Sequence, residues 1–128
     1  PLVTQKVVAH VLDHIDYDVH LENVRKVYKS KCDAMMRVFK EKGSSKVHLT
    51  QPTGGMFAWM TMPDTVDCDE FFEACMDKNV GIIKCGAFAA DGVQNGHAFR
   101  LSYTVPTIPE IEKGMEILCA LTKDYCGE

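Results

Sequence analysis

The residue with the clearest chemical potential is an arginine in the middle of a strand-like segment. Residues 98–104 read Ala-Phe-Arg-Leu-Ser-Tyr-Thr, and their alternation predicts a β-strand. A period of two places three apolar side chains on one face, namely Phe99, Leu101 and Tyr103. Arg100 then lies on the opposite face, where its planar guanidinium can offer two parallel N–H groups to a carboxylate. A solvated or ion-paired arginine on an open sheet face is the simpler interpretation, and the pattern alone favours it.

A second candidate segment reads Pro-Thr-Gly-Gly-Met-Phe-Ala-Trp at residues 52–59. Its two glycines permit backbone conformations that side chains would forbid, and they also permit close approach by a ligand or another domain. The strand predicted for residues 56–62 is largely apolar on both faces. Either it is an ordinary central strand, or something outside this chain packs on its second face, and periodicity leaves both possibilities open.

Metal chemistry has little support in the sequence. The six cysteines show no CxxC spacing, and we expect free, reduced thiols; their positions are 32, 68, 75, 85, 119 and 126. His10 and His14 are four residues apart on a predicted helix, but a zinc site needs further ligands. Clustered acidic residues lie at the start of another predicted helix, where negative charge complements the helix dipole; they are Asp64, Asp67, Asp69 and Glu70.

Composition excludes several classes of function. The net charge of −4 argues against a nucleic-acid partner, which requires clustered Lys and Arg. No apolar run approaches the length of a membrane span, and we expect no membrane association. Nucleotide-binding glycine loops and the HExxH zinc-protease motif do not occur in the sequence. The chain starts at Pro1 without an initiator Met, which favours a fragment or a processed product.

The elements that must position Arg100 follow from periodicity. Helical spacing covers residues 2–14 and 21–42, and capping-box spacings at Asp67/Glu70 and Thr107/Glu110 open two further helices. Short strands are predicted at residues 46–50, 56–62, 80–83 and 98–104, with a Gly-rich loop over residues 86–96. In 128 residues this order predicts a single α+β domain. We expect a small, mostly antiparallel sheet of three to four strands with helices packed on one face.

Several ordered segments together resemble one protein family. The segment 52–59, Val80, Ala87-Phe88 and the segment 99–103 are similar to the C-terminal small domain of class I/II, fold-type I aminotransferases. The kynurenine, 2-aminoadipate and aromatic aminotransferases are the branch that the chain resembles most. The first long helix also matches that family, through His20-Leu21, Tyr28 and Lys31-Cys32-Asp33. The resemblance covers nearly the whole chain. It implies that residues 1–128 are one small domain, separated from the large domain, with residues 1–42 as the leading interdomain helices.

The resemblance implies a function for Arg100. In this family a lysine of the large domain holds pyridoxal phosphate, and an arginine of the small domain grips the α-carboxylate of the substrate. Arg100 matches that arginine and Phe57 matches a residue lining the substrate pocket. An amino acid and a 2-oxo acid would be the substrates, the chain's own large domain would bind the cofactor, and the full-length protein would be a homodimer. The expected location is intracellular, cytoplasmic or mitochondrial.

Two departures from the family pattern limit this interpretation. Lys84-Cys85 stands where the family usually has Pro-Gly, so Lys84 does not correspond to the cofactor lysine. No segment resembles the cofactor-binding part of the large domain, so we expect this chain alone to be inactive. The alternative is a free-standing ligand-binding or protein-interaction module that has kept the small-domain fold without catalysis.

Overall fold

The structure, a computed structural model, describes residues 1–90 and 96–128. Within these residues the α-helices are α1 (Leu2–His14), α2 (Tyr17–Lys42), α3 (Cys68–Asp77) and α4 (Ile108–Cys126). The strands are β1 (His48–Leu49), β2 (Phe57–Thr61), β3 (Ile83–Lys84) and β4 (Ala98–Ser102). A short 3₁₀ helix, Cys85–Phe88, follows β3. No helix in the described part of the chain has the length and apolarity needed to cross a membrane.

The helix starts follow the capping chemistry of the sequence. The carboxylate of Asp16 accepts a hydrogen bond from the Val19 amide at the start of α2, and Asp67 caps α3 in the same manner. The predicted capping box of α4 is present, with the Glu110 carboxylate accepting a hydrogen bond from the Thr107 backbone amide. These bonds satisfy amide groups that a helix start would otherwise leave unpaired.

The four strands form one antiparallel sheet in the order β1-β2-β4-β3. The long strands β2 and β4 are central and pair over five residues each, with Trp59 opposite Arg100. On the other side of β4, Ile83 is the register partner of Arg100. The arginine is therefore flanked by strands on both sides, at the centre of the sheet.

One face of the sheet carries the hydrophobic core. Alternate residues of the central strands point to it and are almost completely buried; they include Ala58, Met60, Phe99 and Leu101. The C-terminal half of α2, together with α3 and α4, supplies the opposing layer through residues such as Met35, Phe71 and Leu118. Burying this apolar area is the main stabilising contribution to such a fold. The expected two-layer α+β arrangement, with a four-stranded antiparallel sheet, is confirmed.

The structure corrects some details of the predicted elements. The strand expected at residues 80–83 is instead Ile83–Lys84, and it is an exposed edge strand, since Ile83 is 40% exposed. Part of the predicted loop is the 3₁₀ helix, and residues 91–95 of that loop lie outside the described residues. Helix α2 begins at Tyr17, one turn earlier than predicted, because Asp16 caps it. Helix α1 has the predicted bounds, yet none of its residues is buried.

Candidate functional site

Arg100 lies on the sheet face opposite the core, as its position in the alternation predicts. Its neighbours Phe99 and Leu101 are 0% and 4% exposed, whereas the Arg100 side chain is only partly buried. The strand residues that share its face are His48, Phe57, Trp59, Thr61, Ile83, Ala98 and Ser102. We call this the open face. It combines one arginine with a group of aromatic and aliphatic side chains.

The guanidinium of Arg100 contacts two aromatic rings. Its Cζ atom lies 4.0 Å from the centre of the Phe57 ring and 4.3 Å from the centre of the Phe88 ring. These distances are well within the range of cation–π attraction. The ring of Phe88 meets Trp59 edge to face, with 5.7 Å between the centroids and an interplanar angle of 87°. Four side chains from β2, β4 and the 3₁₀ helix thus form one cluster, which we call the aromatic cluster.

Backbone and side-chain hydrogen bonds fix the strand that carries Phe57 and Trp59. The Trp59 amide donates to the Thr50 hydroxyl at 2.9 Å, and the Thr50 amide donates to the Trp59 carbonyl at 2.8 Å. At the other end of the strand, the Tyr103 hydroxyl donates to the Gly55 carbonyl at 2.9 Å. Gly55 has φ +82°, a conformation in which glycine is unstrained. The glycine pair therefore serves a backbone turn at Gly55.

This geometry suits the binding of a small carboxylate. Among residues 1–90 and 96–128, no acidic side chain forms an ion pair with Arg100. Aromatic contacts occupy the faces of a guanidinium and leave its N–H groups, which lie in the plane, available for hydrogen bonding. The aromatic rings on either side of Arg100 reduce the access of water to it, which strengthens a charge-assisted hydrogen bond.

Lys84, the residue that departs from the family pattern, has a structural partner. Its Nζ atom donates to the Asp69 carboxylate at 2.7 Å and lies 4.9 Å from the centre of the Phe72 ring. The hydrogen bond to Asp69 raises the pKa of the Lys84 ammonium. Lys84 therefore ties β3 to the start of α3 and points away from the open face. None of the strand residues on the open face is a lysine that could hold pyridoxal phosphate.

The other residues considered from the sequence form no site. The rings of His10 and His14 stack at 3.9 Å, and the described residues contain no group of three potential metal ligands. All six cysteines are free. Cys68 Sγ lies 3.4 Å from His97 Nδ1, but burial raises the pKa of this thiol, which disfavours a nucleophilic thiolate. The carboxylate of Asp67 caps α3, as the acidic cluster suggested.

Trp59 and Phe88 are members of the cluster that reasoning from residue patterns did not assign to the site. Trp59 alternates with the core-facing Ala58 and Met60, so its place on the open face could have been deduced from β2 alone. Phe88 could not, because it reaches Arg100 from a 3₁₀ helix that has no periodic signal.

Known proteins similar to this chain include aminotransferases. No family model matches the chain. The 2-aminoadipate transaminase of Thermus thermophilus is 31% identical over 118 residues, which are 92% of this chain and 29% of that protein. A solved structure of α-aminoadipate aminotransferase LysN from the same species, complexed with N-(5'-phosphopyridoxyl)-L-leucine, superposes with a TM-score of 0.89 at 30% identity. It covers 99% of this chain and 32% of that one.

Two further similar proteins are another aminotransferase and a transcriptional regulator. The kynurenine aminotransferase of Pyrococcus horikoshii, solved in complex with PMP, has a TM-score of 0.80 at 31% identity, covering 89% of this chain and 28% of that one. The transcriptional regulator NorG of Staphylococcus aureus is 29% identical over 85 residues, 66% of this chain and 19% of the regulator. The chain thus spans about three tenths of the length of the aminotransferases it matches. In sequence and in fold, it is a homologue of one part of the pyridoxal-phosphate-dependent aminotransferases.

Proposed function

We propose that this chain is the substrate-carboxylate-binding small domain of a pyridoxal-phosphate-dependent aminotransferase, with Arg100 as the residue that binds the carboxylate. The observation that carries the proposal is the position of Arg100 on the open face, flanked by Trp59 and Ile83 and stacked against aromatic rings. A guanidinium in this setting binds a carboxylate through two parallel hydrogen bonds. Phe57 would line the pocket beside the substrate side chain.

The proposal assigns a limited task to these residues. Pyridoxal phosphate, bound by a separate large domain, would supply the electron-withdrawing chemistry of amino-group transfer. Arg100 would orient an amino acid or a 2-oxo acid by its carboxylate, and the aromatic cluster would exclude water from that contact. Correct orientation of the bound substrate is a large part of the rate gain in such reactions. Because none of the described strand residues of the open face is a lysine, this chain alone would bind carboxylates but not transfer amino groups.

The first experiment measures carboxylate binding by the 128-residue chain. Trp59 is the only tryptophan and lies in the aromatic cluster, so its fluorescence reports on the site. We expect a saturable change with 4-methylpentanoate and none with 4-methylpentanamide, which has the same shape without the charge. Arg100→Lys should weaken binding about tenfold or more, since a charged, bidentate hydrogen-bond pair contributes about 1.5–3 kcal/mol. Equal binding of the acid and the amide would contradict the role of Arg100.

The second experiment uses a protein that joins this chain to a large domain. There, Arg100→Ala should raise the KM for the amino acid steeply while pyridoxal phosphate still binds with its normal absorbance. The chain alone should produce no such absorbance. An unchanged KM would remove Arg100 from the site.

The similarity to NorG favours a second candidate, a ligand-binding module that senses amino acids without transferring the amino group. The two candidates share the carboxylate site and differ in covalent chemistry. Borohydride treatment of the natural protein with pyridoxal phosphate discriminates between them. A trapped lysine in a region outside this chain supports the enzyme, and saturable carboxylate binding with no trapped lysine supports the sensor.

A further inference from the structure

We propose that Phe88 is a positioning residue for Arg100, holding the guanidinium in the orientation that accepts a carboxylate. This inference rests on the proposed function of Arg100. Neither the relatives nor the sequence pattern assigns such a role to Phe88. It would act through Arg100, and its own contact with substrate is not required.

The guanidinium of Arg100 lies between two aromatic rings. Cζ of Arg100 lies within 4.3 Å of both ring centres, Phe57 and Phe88, although these two rings make no aromatic contact with each other. They therefore approach the guanidinium from different sides. An arginine side chain has several rotatable bonds, and contacts on two sides restrict it to few rotamers. The N–H edge then points in a fixed direction.

Phe88 is itself held in place by its neighbours. The Phe88 side chain is 45% exposed, so burial alone would not fix its ring. The edge-to-face contact with Trp59 supplies one restraint. The 3₁₀ helix supplies another, since the Ala89 amide donates to the Gly86 carbonyl at 3.2 Å. The preceding residue, Lys84, anchors the start of this turn to Asp69 on α3.

The 3₁₀ helix that carries Phe88 packs against the segment that leads into β4. A Cβ atom added to Gly96 would lie only 2.1 Å from Cys85 Sγ. The backbone at residue 96 therefore packs directly on the first residue of the 3₁₀ helix. With Lys84 on one side and Gly96 on the other, the turn holds Phe88 over Arg100. In this chain, the Lys84-Cys85 pair has specific contacts in place of a rigid Pro-Gly turn.

The consequence of this support is preorganisation. A free arginine loses rotational entropy when it binds a carboxylate, and a restrained one has lost much of it already. Removing the ring of Phe88 should weaken carboxylate binding about two- to tenfold, the range expected for immobilising one flexible side chain. Phe88→Tyr keeps the ring and should bind as well as the wild type. A residue that served only stability would not show this difference in carboxylate affinity between Phe88→Leu, which removes the ring, and Phe88→Tyr, which keeps it.

The experiment follows Arg100 and the ligand separately in the 128-residue chain. The Nε–Hε signal of Arg100, assigned by its loss in Arg100→Lys, reports ring-current shifts from Phe57 and Phe88. In parallel, 4-methylpentanoate is titrated by NMR. Phe88→Leu should move the Hε signal toward the random-coil position and weaken binding. Phe39→Leu is the matched control, since Phe39 is a partly buried phenylalanine of α2 that packs against the core, on the side of the sheet opposite Arg100.

The outcomes separate this inference from the function on which it rests. If the wild type shows the ring-shifted Hε signal but no carboxylate binding, the proposed function fails and the role of Phe88 fails with it. If the wild type binds through Arg100 and Phe88→Leu binds equally well, only the positioning role is overturned. Equal weakening in Phe88→Leu and Phe39→Leu would also overturn it, because the effect would then be general.

Discussion

The hydroxyl of Tyr103 donates a hydrogen bond of 2.9 Å to the carbonyl oxygen of Gly55. The bond joins residues 48 positions apart. Tyr103 directly follows β4 and is 2% exposed, while Gly55 belongs to the turn that leads into β2. The hydrogen bond therefore fixes the start of β2, which carries Phe57, relative to β4, which carries Arg100. Two parts of the aromatic cluster depend on this contact for their relative position.

Removing the Tyr103 hydroxyl should destabilise the fold and loosen the site. Tyr103→Phe loses a partly buried hydrogen bond, and we expect a decrease of about 1 kcal/mol in the free energy of unfolding. Urea denaturation followed by Trp59 fluorescence measures it. Tyr17→Phe serves as the control, since Tyr17 is 51% exposed and should change stability little. A loss in Tyr103→Phe no larger than in the control would show that the bond contributes nothing.

The glycine pair offers an internal comparison. Gly55 has φ +82°, and an added Cβ at either Gly54 or Gly55 meets no atom within 4 Å. Any difference between the two Gly→Ala variants therefore reports backbone strain. Gly55→Ala should lower stability by about 1 kcal/mol, whereas Gly54→Ala should be neutral or slightly stabilising. Thermal or urea unfolding of both variants checks this, and equal stabilities would contradict the turn assignment.

Acid should destabilise the protein through its capping carboxylates. Hydrogen bonds from the Thr107 backbone and side chain lower the pKa of Glu110 below 4.5. Hydrogen bonds from the backbone amides of Glu70 and Asp69 lower the pKa of Asp67 below 3.8. For a carboxyl with a lowered folded pKa, the stabilisation is present above the unfolded value and is lost as pH falls through the folded value.

Stability should therefore be constant with respect to these groups at neutral pH and should fall as the pH drops below about 4.5. Urea titrations between pH 7 and pH 2.5 measure the decline. Asp67→Asn keeps a capping oxygen without the titrating charge, so its stability should depend less on pH in this window. An identical pH profile in the variant would show that Asp67 contributes no such linkage.

Two of the six thiols should resist modification. Burial raises the pKa of Cys75 to about 12 and that of Cys119 to about 11, and they are 0% and 1% exposed. Since the thiolate is the reactive form, both should remain unmodified by iodoacetamide at pH 8 in the folded protein. Mass spectrometry of tryptic peptides checks this, with urea-unfolded protein as the control in which all six react. Rapid modification of Cys75 without urea would contradict the packing of α3.

The position of Arg100 on the open face could be predicted from the sequence. The alternation at residues 98–104 predicted that Arg100 would lie opposite Phe99 and Leu101, and this is confirmed by their burial. The helix caps at Asp67 and Thr107 were predicted at the correct positions. Each cap depends on hydrogen bonds between residues no more than three positions apart. The resemblance to aminotransferases is confirmed by the relatives and by the superposed structures. The role of Arg100 and Phe57 in binding substrate stays a prediction.

The sequence by itself determined the local features, namely the presence of the four helices, the caps at Asp67 and Thr107 and the strand alternation. These depend on residues that are close in the chain, so spacing and type are sufficient to read them. Only the tertiary structure decided that Phe88, in a turn without periodicity, contacts Arg100 together with Phe57. It also decided that Lys84 pairs with Asp69. Neither contact follows from a periodic pattern in the sequence, because both depend on how the strands, the 3₁₀ helix and α3 pack against one another.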